Sequence, residues 1–296
     1  MPKLTIHTIN YLRTGYQEND IAPEDYVASI LVYNEHGYVT AENSYNADAS
    51  LQSATTTQYD DQNRASVVCQ YDAEGTLCER VTNSYNEAGQ LAEQKMCYGE
   101  GLPEYSTLYV YENGLLLRRD CYDEGVFVNT EKKYEYDDQG RIIKEIDFDE
   151  DGNQLYVVVN QYDENGRLAS YTRDEIQQHD RRTFAFEYDE RGNKIKDLIY
   201  NYDEALIAKI YTKYNENNQV VEVEEEDLDH YRLTKYEYEG NNLMKVSVYG
   251  KDEQLQTWVA YTYDADNRIL TQENYAPDEV NPSTHRLMIH IDYIRE

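Results

Sequence analysis

One short pattern recurs ten times along the chain: tyrosine, an acidic or amide residue, a polar stretch, Gly or Asn, then an apolar residue. Its copies begin at Tyr33, Tyr59, Tyr85, Tyr111, Tyr136, Tyr162, Tyr188, Tyr214, Tyr238 and Tyr263, in steps of 26, 26, 26, 25, 26, 26, 26, 24 and 25 residues. A fixed period constrains the fold more than any other feature, because each unit must bury its surface against its neighbours. A second turn falls about 12 residues after the first, as in YDAEG from Tyr71, CYGEG from Cys97, YDEG from Tyr122, FDEDGN from Phe148 and YGKDE from Tyr249. Twelve residues suit one strand and one turn, and 26 suit two of each. The period therefore predicts an all-β fold: an antiparallel β-hairpin repeat meander of about ten units and about twenty strands. Ten such repeats overrule the two globular domains that length alone would favour.

The turn chemistry agrees. Asp or Asn after the tyrosine accepts hydrogen bonds from the backbone two residues on. The Gly or Asn that ends each turn tolerates positive φ. These positions are Gly37, Asn63, Gly89, Gly114, Gly140, Gly166, Gly192, Asn218, Asn241 or Asn242, and Asn267. Together they predict a type I turn closed by a left-handed residue. YENGLL and YEGNNL have a turn one residue shorter.

Alternation assigns the faces. Two residues before the motif tyrosine, on its own face, stand Leu31, Tyr109, Tyr134, Phe186, Tyr236 and Tyr261, whereas Gln58, Ser84, Glu135, Gln161, Glu187, Lys213 and Glu237 lie opposite. The expectation is one aromatic face, with tyrosines in a ladder roughly 9–10 Å apart, and one charged face. A single flat layer cannot hide an apolar face, so the sheet is expected to curl into a spiral or wide barrel-like shell. Residues 1–28 and 276–296 lie outside the regular copies and read as end caps around the repeats of 29–275, all within one domain.

Composition narrows the function. The 296 residues include 58 acidic and 27 basic side chains, a net charge of −31, 32 tyrosines and only four Phe; mean hydropathy is −0.88. That charge opposes nucleic-acid binding through phosphates, which needs clustered Lys and Arg. The apolar runs are too short for a membrane span, and MPKLTIHTINY lacks the layout of a secretory signal. Cys69, Cys78, Cys97 and Cys121 all lie within residues 69–121, unlike a disulfide framework spread over the chain, which favours a reducing, cytoplasmic and bacterial-like setting over export or the cell surface.

YDDQGRI at 136–142, YDENGRL at 162–168 and YDADNRI at 263–269 resemble the Tyr-Asp-x-x-Gly-Arg core of the YD-repeat family, also called RHS repeats. Weaker copies extend the resemblance over about residues 30–275. The family includes bacterial polymorphic toxins, insecticidal toxin-complex subunits and teneurins. The resemblance implies a spiralling β-sheet shell that encloses a toxin or displays an adhesive surface. This chain is shorter than those members and holds a near-constant period.

The chemistry-bearing candidates are few. Asp147, Asp149 and Asp151 read DxDxDG, but the position where an EF-hand loop needs Glu is Val158, and an acidic hairpin turn is the simpler reading. His285 and His290 are five apart and face opposite sides of a strand. Neither catalytic nor cofactor motifs occur, and the expected function is non-enzymatic. The acidic run Glu224, Glu225, Glu226 and Asp227 reads as a second turn, solvated and self-repelling so that it blocks aggregation, or alternatively as part of a docking surface for a basic protein. Tyr109, Tyr134, Tyr236 and Tyr261 form the candidate aromatic binding face. The functional expectation is a protein-binding module, sharpened by the family resemblance to an immunity or antitoxin-like protein masking a basic toxin. The alternative is a structural or surface shell or adhesin, with glycan binding as one variant. Oligomeric state is left open.

Overall fold

The computed structural model describes residues 3–10, 24–99, 104–277 and 284–292. They form β1 (Lys3–Asn10), β2 (Glu24–Tyr33), β3 (Val39–Tyr45), β4 (Leu51–Tyr59), β5 (Ala65–Tyr71), β6 (Leu77–Tyr85), β7 (Leu91–Cys97) and β8 (Glu104–Glu112). Then follow β9 (Leu115–Asp123), β10 (Val126–Tyr136), β11 (Ile142–Phe148), β12 (Gln154–Tyr162), β13 (Leu168–Glu175), β14 (Asp180–Tyr188) and β15 (Lys194–Tyr200). The last are β16 (Leu206–Tyr214), β17 (Val220–Asp227), β18 (Tyr231–Glu239), β19 (Asn242–Tyr249), β20 (Leu255–Tyr263), β21 (Ile269–Pro277) and β22 (Thr284–Asp292).

Each strand pairs antiparallel with the one before it, in a single 22-stranded sheet. The expected meander is thus present, with two strands more than the repeats supply. Both extra strands, β1 and β22, come from the segments expected to be caps. They block open edges in a different way: β1 pairs with β2 on one side and with β22 on the other. A strand with a ladder on both sides offers no free N–H and C=O row for a foreign strand.

All ten motif tyrosines stand where the register slips by one residue, as between Glu135 and Tyr136 or Gln161 and Tyr162. The following turns have the expected left-handed residue, from Gly37 (φ 83) and Asn63 (φ 60) to Asn267 (φ 59). The YEGNNL copy differs: Gly240 (φ 59), not Asn241 or Asn242, takes positive φ. Its loop is only Gly240–Asn241, and a two-residue hairpin turn places its glycine first when the turn is type II′.

Burial is shallow. Among the described residues only Ile146 is a buried apolar side chain, with Asp120, Thr234 and Ser247 as buried polar ones. The sheet is therefore held by its ladder and by half-buried contacts rather than by one deep core. Across the face opposite the motif tyrosines, directly paired positions carry Glu135–Lys144 (3.3 Å), Glu187–Lys196 (2.7 Å) and Lys213–Glu222 (2.6 Å). Such cross-strand pairs contribute roughly 0.2–1 kcal/mol each.

The tyrosine face is less aromatic than alternation implied. On the strand between two aromatic positions, the paired residues are Glu145 opposite Tyr134, Asp197 opposite Phe186, Gln272 opposite Tyr261 and Arg119 opposite Tyr109. Ion pairs run along it, Arg119 to Glu131 at 2.8 Å and Lys132 to Glu145 at 2.7 Å. A half-wet face accepts charge wherever each charge finds a partner.

Candidate binding surface

A meander sends alternate turns to opposite edges of the sheet. One edge carries the ten motif turns and the other carries the second turns, and their chemistry differs.

At the motif edge every consensus residue has a structural task. The tyrosine hydroxyl donates to a backbone carbonyl 20 residues earlier, at the start of the preceding strand. The bonds run Tyr59 to Val39, Tyr85 to Ala65, Tyr111 to Leu91, Tyr136 to Leu116, Tyr162 to Ile142, Tyr188 to Leu168, Tyr214 to Lys194 and Tyr263 to Leu243, at 2.7–3.0 Å. Where the residue two before the tyrosine is Asn, its amide donates to the same carbonyl: Asn83 to Ala65 O at 3.0 Å and Asn160 to Ile142 O at 2.9 Å.

The Asp that follows accepts the N–H groups two and four residues on, as Asp137 does from Gln139 and Arg141, both at 2.9 Å. The Arg that ends the motif returns to that Asp, Arg141 Nε to Asp137 Oδ2 at 2.7 Å. Its guanidinium then covers the next repeat's tyrosine: Arg64 over Tyr85 at 4.2 Å, Arg141 over Tyr162 at 4.5 Å and Arg167 over Tyr188 at 4.6 Å. The rings at these steps are bridged by cations, an arrangement worth about 0.5–1 kcal/mol at exposed sites. Where Gln replaces Arg, it reaches onward to the next turn: Gln90 Nε2 to Gly114 O and Gln219 Nε2 to Gly240 O, both 2.9 Å. These are the two short turns, and the amide takes the carbonyl they present. The Arg partner holds the Asp60 carboxyl below its ordinary pKa, helped by the Arg64 N–H. For Asp137 the Arg141 N–H is the leading cause, and the same holds for Asp264 with Arg268.

The second-turn edge is irregular and gathers most of the exposed apolar side chains. Fourteen large hydrophobic side chains are exposed among the described residues. Ten of them stand at or beside second turns: Tyr98, Tyr105, Val126, Phe127, Val128, Ile176, Tyr202, Leu206, Leu228 and Leu255; only Tyr38 lies in a motif turn. Ile176, Tyr202 and Leu228 are 26 residues apart, so they repeat at equivalent places on three successive turns. Tyr202 is 67% and Leu228 79% exposed.

Beside this row lies a groove of 680 Å³, whose lining includes Ile199, Ile210, Glu225, Glu226, Asp227 and Asp229. A smaller groove of 280 Å³ runs between Phe127 and Phe148 near Asp151.

The acidic run expected to form a turn is in fact strand: Glu224, Glu225, Glu226 and Asp227 end β17, and the turn is Leu228–His230. Alternation therefore splits the run between two faces. Glu225 is ion-paired with Arg232 and Glu226 with Lys209 at 2.8 Å, while Asp227 accepts the Asp229 and His230 N–H groups. Valine at 220, 221 and 223 gives the β-rich pattern that marks a strand.

Tyr109 and Tyr134 are half-buried, and burial pushes both phenols up; Lys132 sits 5.5 Å over the Tyr134 ring. Tyr236 and Tyr261 are likewise half-buried. All four rings therefore keep part of their surface open to solvent.

Asp147, Asp149 and Asp151 do not converge. Asp147 is 3.3 Å from Lys132, and Asp149 accepts the Asp151 and Asn153 N–H groups within its turn. Among the described residues no group of three or more His, Cys, Asp or Glu is placed to hold a metal ion, and no helix is long and apolar enough to cross a membrane. The four thiols are free, and burial raises that of Cys121.

No protein-family model and no curated protein matches this sequence. Among solved structures, the chain is similar to the TcdB2-TccC3-Cdc42 crystal structure at 12% identity and a TM-score of 0.33, over 87% of this chain and 20% of that one. The Tc holotoxin pore of Photorhabdus luminescens is similar at 13% identity and a TM-score of 0.29, over 88% of this chain and 21% of that one. A porin-like protein from Bacteroides uniformis ATCC 8492 is similar at 10% identity and a TM-score of 0.35, over 99% and 97% of the two chains. This chain spans about a fifth of the toxin-complex chains it resembles.

Proposed function

We propose that this protein is a non-enzymatic, cytoplasmic repeat module that binds a basic protein. One observation carries the reading: the cations are consumed inside the sheet. Among the described residues, eleven arginines and seven lysines are ion-paired. With 58 acidic against 27 basic residues, 31 carboxylates are left with no side-chain cation to match them. Such a field steers basic partners and speeds their encounter. The tyrosines, aspartates and arginines of the repeat are committed to structural bonds, which leaves recognition to the non-repeat side chains. The finer reading is an immunity or antitoxin-like protein that masks a basic toxin, and a small basic nuclease is the matching probe. Its titration at low and moderate salt is expected to give a saturable complex that weakens as salt rises; no complex at either salt refutes the proposal.

A second reading is a structural or surface shell, favoured by the continuous single-layer sheet. Cell fractionation separates the two: recovery at the cell surface or in the medium supports the shell, and cytosolic recovery removes it.

A further inference from the structure

We infer that the second-turn edge between β13 and β20 is the docking surface, and that its occupant is a basic segment carrying apolar side chains. The inference rests on the binding-module reading and names its surface and its partner's chemistry. Scattered exposed hydrophobics are ordinary, but their concentration along one edge marks an interaction site.

Ile176, Tyr202 and Leu228 stand two strands apart from one to the next, about 10 Å. That spacing matches side chains set three residues apart on a polyproline II segment lying along the edge, whose three-residue turn puts them on one side at roughly 9 Å. Tyr202 and Leu228 each follow a residue, Asn201 or Asp227, whose side chain already satisfies the turn N–H groups. The turns are thus held by their neighbours, and these two side chains are free to project.

Charge selects the occupant. The 680 Å³ groove beside the row is lined by Glu225 and Glu226, which pair with its own Arg232 and Lys209, and by Asp227 and Asp229, which meet neither cation; the adjoining turn adds Asp203 and Glu204. A second copy of this chain would bring −31 against −31, whereas a basic segment gains from the field and the apolar row together.

Two probes of equal charge test the inference: a lysine peptide with serine at every third position, and a peptide of the same length with leucine at those positions. Both are titrated by fluorescence anisotropy into wild type, the double variant Tyr202→Ser/Leu228→Ser and the motif-edge control Tyr38→Ser. The expected result is a loss of roughly tenfold or more in affinity for the leucine-bearing peptide in the double variant alone. Affinity for the serine-bearing peptide is expected to stay constant across all three. Equal leucine-peptide affinity in the double variant and wild type overturns the docking surface while leaving the binding-module reading intact. Failure of both peptides to bind wild type at low salt sinks that underlying reading as well. Sedimentation showing a wild-type dimer that the double variant abolishes overturns the basic occupant in favour of a second copy. Circular dichroism of each variant guards against misfolding, and Tyr202→Leu/Leu228→Met is expected to restore leucine-peptide binding.

Discussion

Replacing Tyr188 with Phe removes one oxygen and keeps the ring. The ring stays under Arg167 at 4.6 Å, so the change isolates the 2.7 Å hydrogen bond to Leu168 O. A net hydrogen bond contributes about 0.5–1.5 kcal/mol, and a half-buried acceptor that regains water places the cost at roughly 1 kcal/mol. At Tyr162 the same change is expected to cost less, because Asn160 also donates to Ile142 O at 2.9 Å. Tyr188 has Phe186 at the corresponding place and no such substitute. Urea unfolding of Tyr188→Phe, Tyr162→Phe, Asn160→Ala and the Asn160→Ala/Tyr162→Phe pair measures this, with the exposed Tyr202→Phe as control. The double variant is expected to cost more than the sum of its singles by about 0.5 kcal/mol or more, since only it strips the carbonyl of both donors. A Tyr188→Phe cost no greater than that of Tyr202→Phe, or an additive cycle at Ile142, would refute the claim that the tyrosine hydroxyls tie successive repeats together.

Three further outcomes follow from the turns. Glu204 (φ 60) and Ala49 (φ 64) hold non-glycine residues in the left-handed region, so Glu204→Gly and Ala49→Gly are each expected to stabilise by about 0.5–1 kcal/mol in urea unfolding. Gly192→Ala is expected to cost about 1 kcal/mol through φ alone, and Gly166→Ala more, because its new Cβ would lie 3.3 Å from Arg141 Nη1 whereas that of Gly192 meets nothing; equal costs in urea unfolding count against the Arg141 contact. Hydrogen bonds hold the Asp137 carboxyl below its unfolded value, so its contribution is complete above about pH 4 and fades as pH falls through the lowered folded value. Asp137→Asn keeps an oxygen for the N–H groups but does not titrate, and its urea midpoint is expected to fall less steeply than wild type below pH 4; parallel curves would exclude this coupling.

The motif turns were legible because they are local: Asp137, Gly140 and Arg141 lie within five residues, and backbone sterics alone demand a permissive residue at the left-handed place. Strand number and alternation followed from the period for the same reason. The acidic run at Glu224–Asp227 was misread because charge suggested a turn, whereas pairing with β16 and β18 continues the strand through Asp227.

Sequence by itself therefore determined the hairpin unit, its turn geometry and the antiparallel order, since each depends on contacts within about 26 residues. Only the tertiary structure decided which carbonyl each tyrosine hydroxyl reaches, that arginine rather than a second ring covers the tyrosine at Tyr85, Tyr162 and Tyr188, and that β1 meets β22. It also separated a regular motif edge from an irregular second-turn edge where exposed apolar side chains gather. These depend on inter-strand register and on bulges that shift side chains by one place, and no local preference encodes a partner 280 residues away along the chain.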